Sequence, residues 1–145
     1  MQEALHLYTR GDVVERREEC HGCGKQSLTY RLARVATHLP QVLLLCLKRW
    51  EWGRDEPLDH TVEPSDPLIH GGATYRLRSG VIHLGASANA GHYIAVAKHA
   101  TPGGSWWLYD DVDRRLATPE QVRASGTYHR CGRRMKLYLV FYERE

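Results

Sequence analysis

The chain has 145 residues, of which 42% are hydrophobic, 26% charged and 9% aromatic, the size and composition of one folded domain. No apolar run approaches the ~18–20 residues that cross a bilayer, and Met1 leads into Gln2-Glu3-Ala4 instead of a basic and then apolar leader, so an intracellular protein with no membrane partner is expected. Twenty basic against seventeen acidic residues give a formal charge of +3, too small an excess to point to nucleic acid.

Ala4, Leu5, Leu7 and Tyr8 recur at helical spacing and stop at Gly11-Asp12, which predicts a short helix over 3–8. The charged stretch Glu15 to Glu19 then runs into Cys20-His21-Gly22-Cys23-Gly24. Two thiols across a glycine-bearing turn have the shape of a zinc knuckle, a reading favoured over a thioredoxin-type redox pair because no buried strand precedes them. Leu28 to Thr37 alternates as a strand does. Val42 to Leu47 is an unbroken apolar run between Pro40 and Lys48-Arg49, so it is expected to be buried on both faces at the centre of a sheet, with Cys46 an inert buried thiol. Glu51 to Gly72 has no usable period and reads as a long connection. Further strands are predicted over Tyr75–Leu84, Gly91–Lys98, Ser105–Asp110 and Lys136–Tyr142. Thr118-Pro119-Glu120-Gln121 opens a short helix running to about Ala124. The sum is an antiparallel-rich α+β domain of five or six strands.

The stretches Gly91-His92-Tyr93 and Trp106-Trp107-Leu108-Tyr109-Asp110-Asp111 carry the clearest chemistry. A hairpin turning around Thr101 to Gly104, with His92 opposite Asp110, also sets Ile94 opposite Leu108 and Val96 opposite Trp106. Opposed residues share a face with Cβ atoms ~4.5–5.5 Å apart, so the Asp110 carboxylate could orient the imidazole as in a nucleophile–His–Asp triad. A His and an Asp at strand ends are more often solvated or merely ion-paired. Neither Cys46 nor Cys131 suits the nucleophile: the first is expected to be buried, and the second reads as a surface thiol among arginines.

Taken in order, Leu39-Pro40-x-Val42-Leu43, Leu47-Lys48-Arg49-Trp50, Tyr75-x-Leu77, Val81-x-His83-x-Gly85, Gly91-His92-Tyr93, Trp106-x-x-Tyr109-Asp110-Asp111 and Tyr138-x-x-Phe141-Tyr142 closely resemble the second half of the ubiquitin-specific protease catalytic domain. The resemblance implies a papain-like cysteine protease that cleaves after the C-terminal glycine of ubiquitin. It divides the chain into a helix and fingers half-site over 1–37 and a palm over 38–145. It makes His92 the general base, Asp110 its orienting partner and Asp111 the second acidic position. His83, Gly85, the loop from Ala86 to Ala90, Gly91 and Tyr93 would line the cleft for the ubiquitin tail, and Trp106 would pack beneath the histidine strand. Cys20 and Cys23 would be half of a four-cysteine zinc site, a structural zinc that catalysis does not require.

Two departures from the family pattern matter. The chain has no Asn-x-Gly-Asn-x-Cys-type segment, hence no family nucleophile or oxyanion amide, and no first Cys-x2-Cys pair; Trp50 replaces the usual phenylalanine. An imidazole–carboxylate pair activates a nucleophile but cannot replace one. The expectation is therefore a chain that binds ubiquitin or ubiquitinated proteins but does not hydrolyse alone. It would be the C-terminal part of a protease, a catalytically dead ubiquitin-binding copy, or one half of a site completed by a nucleophile-bearing N-terminal half. A zinc-knuckle module for nucleic acid is the remaining alternative.

Overall fold

Segments of alternating and of uninterrupted apolar character between Pro40 and Glu145 pair into a single antiparallel sheet, as a computed structural model shows. The structure describes residues 1–10, 12–19, 21–31, 38–50, 58, 60–87, 90–101, 103–123 and 135–145. Contacts divide it into two compact units, Met1–Leu39 and Pro40–Glu145. Nine strands and two helices occur among the described residues, more strands than the five or six expected.

The first unit opens with helix α1, Gln2–Arg10, amphipathic but without a buried residue, with Glu3 in its first turn and Arg10 in its last, each matching the helix dipole. Strands β1 (Asp12–Glu19) and β2 (Gln26–Arg31) form an antiparallel hairpin. The charged run around Glu15 is thus a strand where no strand was expected. Its turn carries the exposed, free thiol of Cys23, whereas Cys20 lies outside the described residues, as does the predicted strand beyond Arg31.

The second unit comprises β3 (Val42–Cys46), β4 (Leu68–His70), β5 (Ala73–Leu84), β6 (His92–Lys98), β7 (Trp106–Asp110), β8 (Asp113–Ala117), α2 (Pro119–Arg123) and β9 (Met135–Arg144). The strand order is β3-β9-β5-β6-β7-β8, with β4 paired to β5. One face carries the core: Leu77, Ile82, Leu84, Ile94, Val96, Leu108, Leu137 and Val140 are all essentially buried, covered in part by Val122 of α2. Helix and sheet approach closely because Gly80 of β5 has no side chain. A Cβ there would stand 2.5 Å from Val122 Cγ1 and 3.0 Å from Leu137 Cδ1. At the helix start, the Thr118 amide donates to Gln121 Oε1 at 2.9 Å, the backbone half of a capping box.

Strand β3 corrects the expectation of a doubly buried central strand. Its partner among the described residues is β9, so it is an edge; Val42 and Leu44 are 56% and 49% exposed on one face, while Leu43 and Leu45 are half-buried on the other. Cys46 is correspondingly exposed, not buried. An apolar run states what a strand tolerates on each face, not that this chain supplies the cover. Just beyond β3, the buried Arg49 donates from Nε to the Leu137 carbonyl at 2.9 Å and from a terminal nitrogen to the His60 carbonyl. Burial lowers its pKa from the usual guanidinium value.

Candidate active site

His92 is the first residue of β6 and Asp110 the last of β7, so both stand at the same end of one hairpin. The ladder pairs Ala95 with Tyr109, Val96 with Leu108, Ala97 with Trp107 and Lys98 with Trp106. This is a two-residue shift from the expected register, in which Ile94 faced Leu108 and Val96 faced Trp106. The turn sets it: the His99 amide donates to the Ser105 carbonyl at 2.9 Å and the Gly104 amide to the Thr101 carbonyl at 2.8 Å, closing the loop one residue later than assumed. A shift of two preserves the face of every side chain, so hydrophobic pairing could not distinguish the registers.

Because parity is kept, His92 and Asp110 still share the core-side face and meet diagonally. The His92 Nε2–H donates to Asp110 Oδ1 at 2.5 Å. Their side chains retain 32% and 21% exposure, enough for a reacting group to reach the ring. Asp111 Oδ2 lies 4.0 Å from the same nitrogen on a carboxylate that is 78% exposed, and one oxygen of each aspartate and the His92 nitrogen lie within 4.8 Å of one another. Asp111 holds a left-handed φ of 52° at the first central position of the β7–β8 turn, a conformation that Asp tolerates better than most residues.

With Nε2 engaged by Asp110, the nitrogen left to take a proton is Nδ1. The arrangement can therefore orient an imidazole as a general base or acid.

The remaining predicted residues sit differently. His83 pairs with Tyr93, and Leu84 with His92, so His83 and Tyr93 occupy the face opposite His92. His83 is 1% exposed and Tyr93 47%. The His83 ring meets Tyr93 at 4.9 Å between centroids and Trp50 edge-to-face at 5.5 Å, and Tyr138 touches both Trp50 and Tyr93. Burial, with a smaller contribution from the Lys136 charge, holds the His83 pKa below the ordinary imidazole range and so keeps the ring neutral. Gly85 and Gly91 close against it. Ala86, Ser87 and Ala90 of the intervening loop are described, while 88–89 are not. The parts played by Trp50 and Tyr138 around His83 were not foreseen, although both stand in the motifs quoted above. Trp106 lies opposite Lys98, six residues along β6 from His92.

Cys46 is excluded as a partner for His92 by the ladders. Cys46, Leu139, Val81, Ala95 and Tyr109 form one row across the sheet. His92 is three residues from Ala95, hence on the other face, and β6 is three strand spacings from β3, roughly 14 Å. Cys131 lies outside the described residues.

The sequence model of the family "Ubiquitin carboxyl-terminal hydrolase" matches residues 10–142. "Ubiquitin carboxyl-terminal hydrolase 23" of Arabidopsis thaliana is 26% identical over the whole of this chain and 17% of its own length. "Ubiquitin carboxyl-terminal hydrolase 46" of Caenorhabditis elegans is 32% identical over 74% of this chain and 28% of its own length. The chain thus spans less than a third of the length of these relatives. Among solved structures, the SAGA Ubp8/Sgf11/Sus1/Sgf73 DUB module matches with a TM-score of 0.64 and 27% identity over 99% of this chain and 30% of that one. The same module bound to ubiquitin aldehyde matches at 0.60 and 24%, and an essential yeast splicing factor shares the fold at 0.58 and 21% over 75% of this chain.

Proposed function

Since the chain belongs to the ubiquitin carboxyl-terminal hydrolase family, we propose that it supplies the His/Asp half of a cysteine-type deubiquitinase site that cleaves after the C-terminal glycine of ubiquitin. The observation that carries this reading is the 2.5 Å bond between His92 Nε2 and Asp110 Oδ1. A cysteine thiol from a segment outside this chain gives its proton to His92 Nδ1, and the thiolate attacks the glycyl carbonyl carbon. His92 then returns the proton to the departing amine as the C–N bond breaks, leaving a thioester. Water, deprotonated by the same nitrogen, releases the ubiquitin carboxylate and the thiol. Asp110 holds the proton on Nε2 throughout, and Asp111 adds a second negative charge beside the imidazolium. The incoming tail passes the start of β6, where Gly91 precedes His92. The substrate is ubiquitin or a ubiquitinated protein.

Zinc takes no part in these steps. Cys23 and Cys20 would fill half of a tetrahedral shell in the β1–β2 turn, a purely structural role.

The test is a ubiquitin C-terminal reporter assay on the 145-residue chain, alone and mixed with a family N-terminal half bearing the nucleophile. No turnover alone and turnover on mixing are expected. Thiol-dependent turnover by the chain alone would overturn the division of labour. Ubiquitin binding without turnover under any complementation would favour a catalytically dead binding module.

A further inference from the structure

We propose that His83 is a positioning residue for His92: its buried ring, wedged against Gly85 and Gly91 from the far side of the sheet, sets where β6 begins and thereby where the His92 imidazole meets Asp110. This deepens the reading of His92 as general base and gives His83 a role other than contact with the ubiquitin tail.

Three observations converge on it. A side chain at Gly91 would overlap the His83 ring, since a Cβ there would lie 2.8 Å from Cε1 and 2.9 Å from Cδ2. A Cβ at Gly85 would lie 2.8 Å from the same Cε1, 2.6 Å from the Ala90 carbonyl oxygen and 2.9 Å from Gly91 Cα. The two ends of the 85–91 loop therefore close on one five-membered ring, and the residue after Gly91 is His92. The spacings Val81-x-His83-x-Gly85 and Gly91-His92 describe one packed knot.

The second observation is that the ring cannot move aside. Trp50 and Tyr93 pack on it, Tyr138 braces both, and its exposure is 1%. The third is that, among the described residues, neither His83 Nδ1 nor the neighbouring Trp50 Nε1 has a hydrogen-bond partner. A buried imidazole nitrogen without a polar partner makes poor sense as a stabilising contact. It makes sense where shape is required, because a five-membered ring fills the space between two glycines that a phenyl ring would overfill and an aliphatic side chain would fill unevenly.

The test reads placement directly. In the isolated chain, the Nε2–H of His92 should give a slowly exchanging imidazole proton resonance protected by Asp110, to be assigned by its loss in Asp110→Ala; its absence from the wild type would itself overturn the proposal. His83→Ala and Gly91→Ala should each abolish it, the first by removing the wedge and the second by colliding with it. The double variant His83→Ala/Gly91→Ala should recover it in part, since the new methyl enters the space the ring has left; such sign reversal is the mark of direct contact. Val140→Ala, a core truncation elsewhere in the sheet, should leave the resonance intact and so separates positioning from general destabilisation. If one single variant fails to fold, the other and the double variant still decide. In the complemented enzyme, His83→Ala should lower kcat on the order of 10²-fold with KM unchanged. Retention of the protected proton in both single variants, or equal loss in Val140→Ala, would overturn the proposal. Absence of turnover in every complementation, wild type included, would count against the enzyme reading while leaving the resonance to decide the role of His83.

Discussion

Strands β3 and β6 each carry a side chain that thiol proteases use, Cys46 on one and His92 on the other, and the two are physically unlike. His92 starts a strand flanked on both sides by paired strands, with its ring bonded to a carboxylate one strand away. Cys46 ends an edge strand, exposed to solvent, with a tyrosine hydroxyl as its polar neighbour. Residue type alone would rank a cysteine beside arginine and lysine as the more reactive candidate. Position reverses the ranking, because a nucleophile and its base must share a face and a few ångströms, and these two share neither.

The largest effects should fall at the β6–β7 end. In the complemented enzyme, His92→Ala should reduce kcat by roughly 10⁴–10⁶, because proton transfer in both directions is lost together with activation of the thiol. Steady-state kinetics on a ubiquitin reporter measures this, and less than a tenfold loss would mean that another base serves. Asp110→Asn should follow at about 10³–10⁴, through loss of the tautomer that leaves Nδ1 basic. Asp111→Asn should cost far less, since its carboxylate is 78% exposed and 4.0 Å from the nitrogen. If the order of the two aspartates were inverted, Asp111 would be the orienting partner, and the Asp110 bond would be a ground-state contact only.

That His92 and Asp110 would meet was legible because the side-chain period of a strand is two, and both register choices kept them on one face. The register itself was not legible: it is fixed by His99–Ser105 and Thr101–Gly104 backbone bonds, which leave no trace in hydrophobic pattern. Strand β8 was missed for a related reason. Asp113-Arg114-Arg115-Leu116-Ala117 has no apolar alternation, because it lies at the sheet edge, where Leu116 is 68% exposed and Arg114 sits over the Trp107 ring at 5.4 Å. The β3 expectation erred in the opposite sense, its apolar run suggesting a centre where, among the described residues, β3 is an edge. His83 and Gly91 stand in separate motifs, and the contact between them crosses from β5 to the start of β6, a packing that no local pattern encodes.

Stability should divide along the same line. Ile82→Ala, on the buried face of β5, should cost about 2–5 kcal/mol by leaving a cavity, whereas Leu44→Ala on the open face of β3 should cost about 1 kcal/mol or less. Urea unfolding of the 145-residue chain measures both. A cost at Leu44 equal to that at Ile82 would mean that the β3 face is covered in solution, and the contrast between the strands would weaken.

A smaller effect follows from the depressed His83 pKa. The unfolded chain takes up a proton at this residue near the ordinary value of about 6.5, whereas the folded chain resists until lower pH. The stabilisation is therefore fully present above about pH 6.5 and is lost as pH falls toward the native value. The thermal midpoint of the wild type should drop between about pH 7.5 and 5.5 more steeply than that of His83→Gln, which has nothing to protonate there. Parallel curves would show that His83 is not the group held neutral.

The smallest expected effect is at Cys46, and its smallness is what makes it informative. Cys46 neighbours the Tyr138 hydroxyl, and the charge interaction between them, ahead of burial and of a weaker hydrogen-bonding contribution, raises the tyrosine pKa. Cys46→Ser keeps a polar partner for the hydroxyl, removes no buried apolar surface and lies on the face away from His92. Stability should change by no more than about 0.5 kcal/mol, as for surface substitutions generally. Complemented turnover should stay within about twofold of wild type, while a titration with a thiol reagent should count one fewer fast-reacting group, because the wild-type thiol is open to solvent. A large loss of turnover in Cys46→Ser would require the thiol to reach His92 through a sheet and across three strand spacings. The only escape would be that β3 leaves the edge of this sheet in the active assembly, and with it would go the contrast between the two strands.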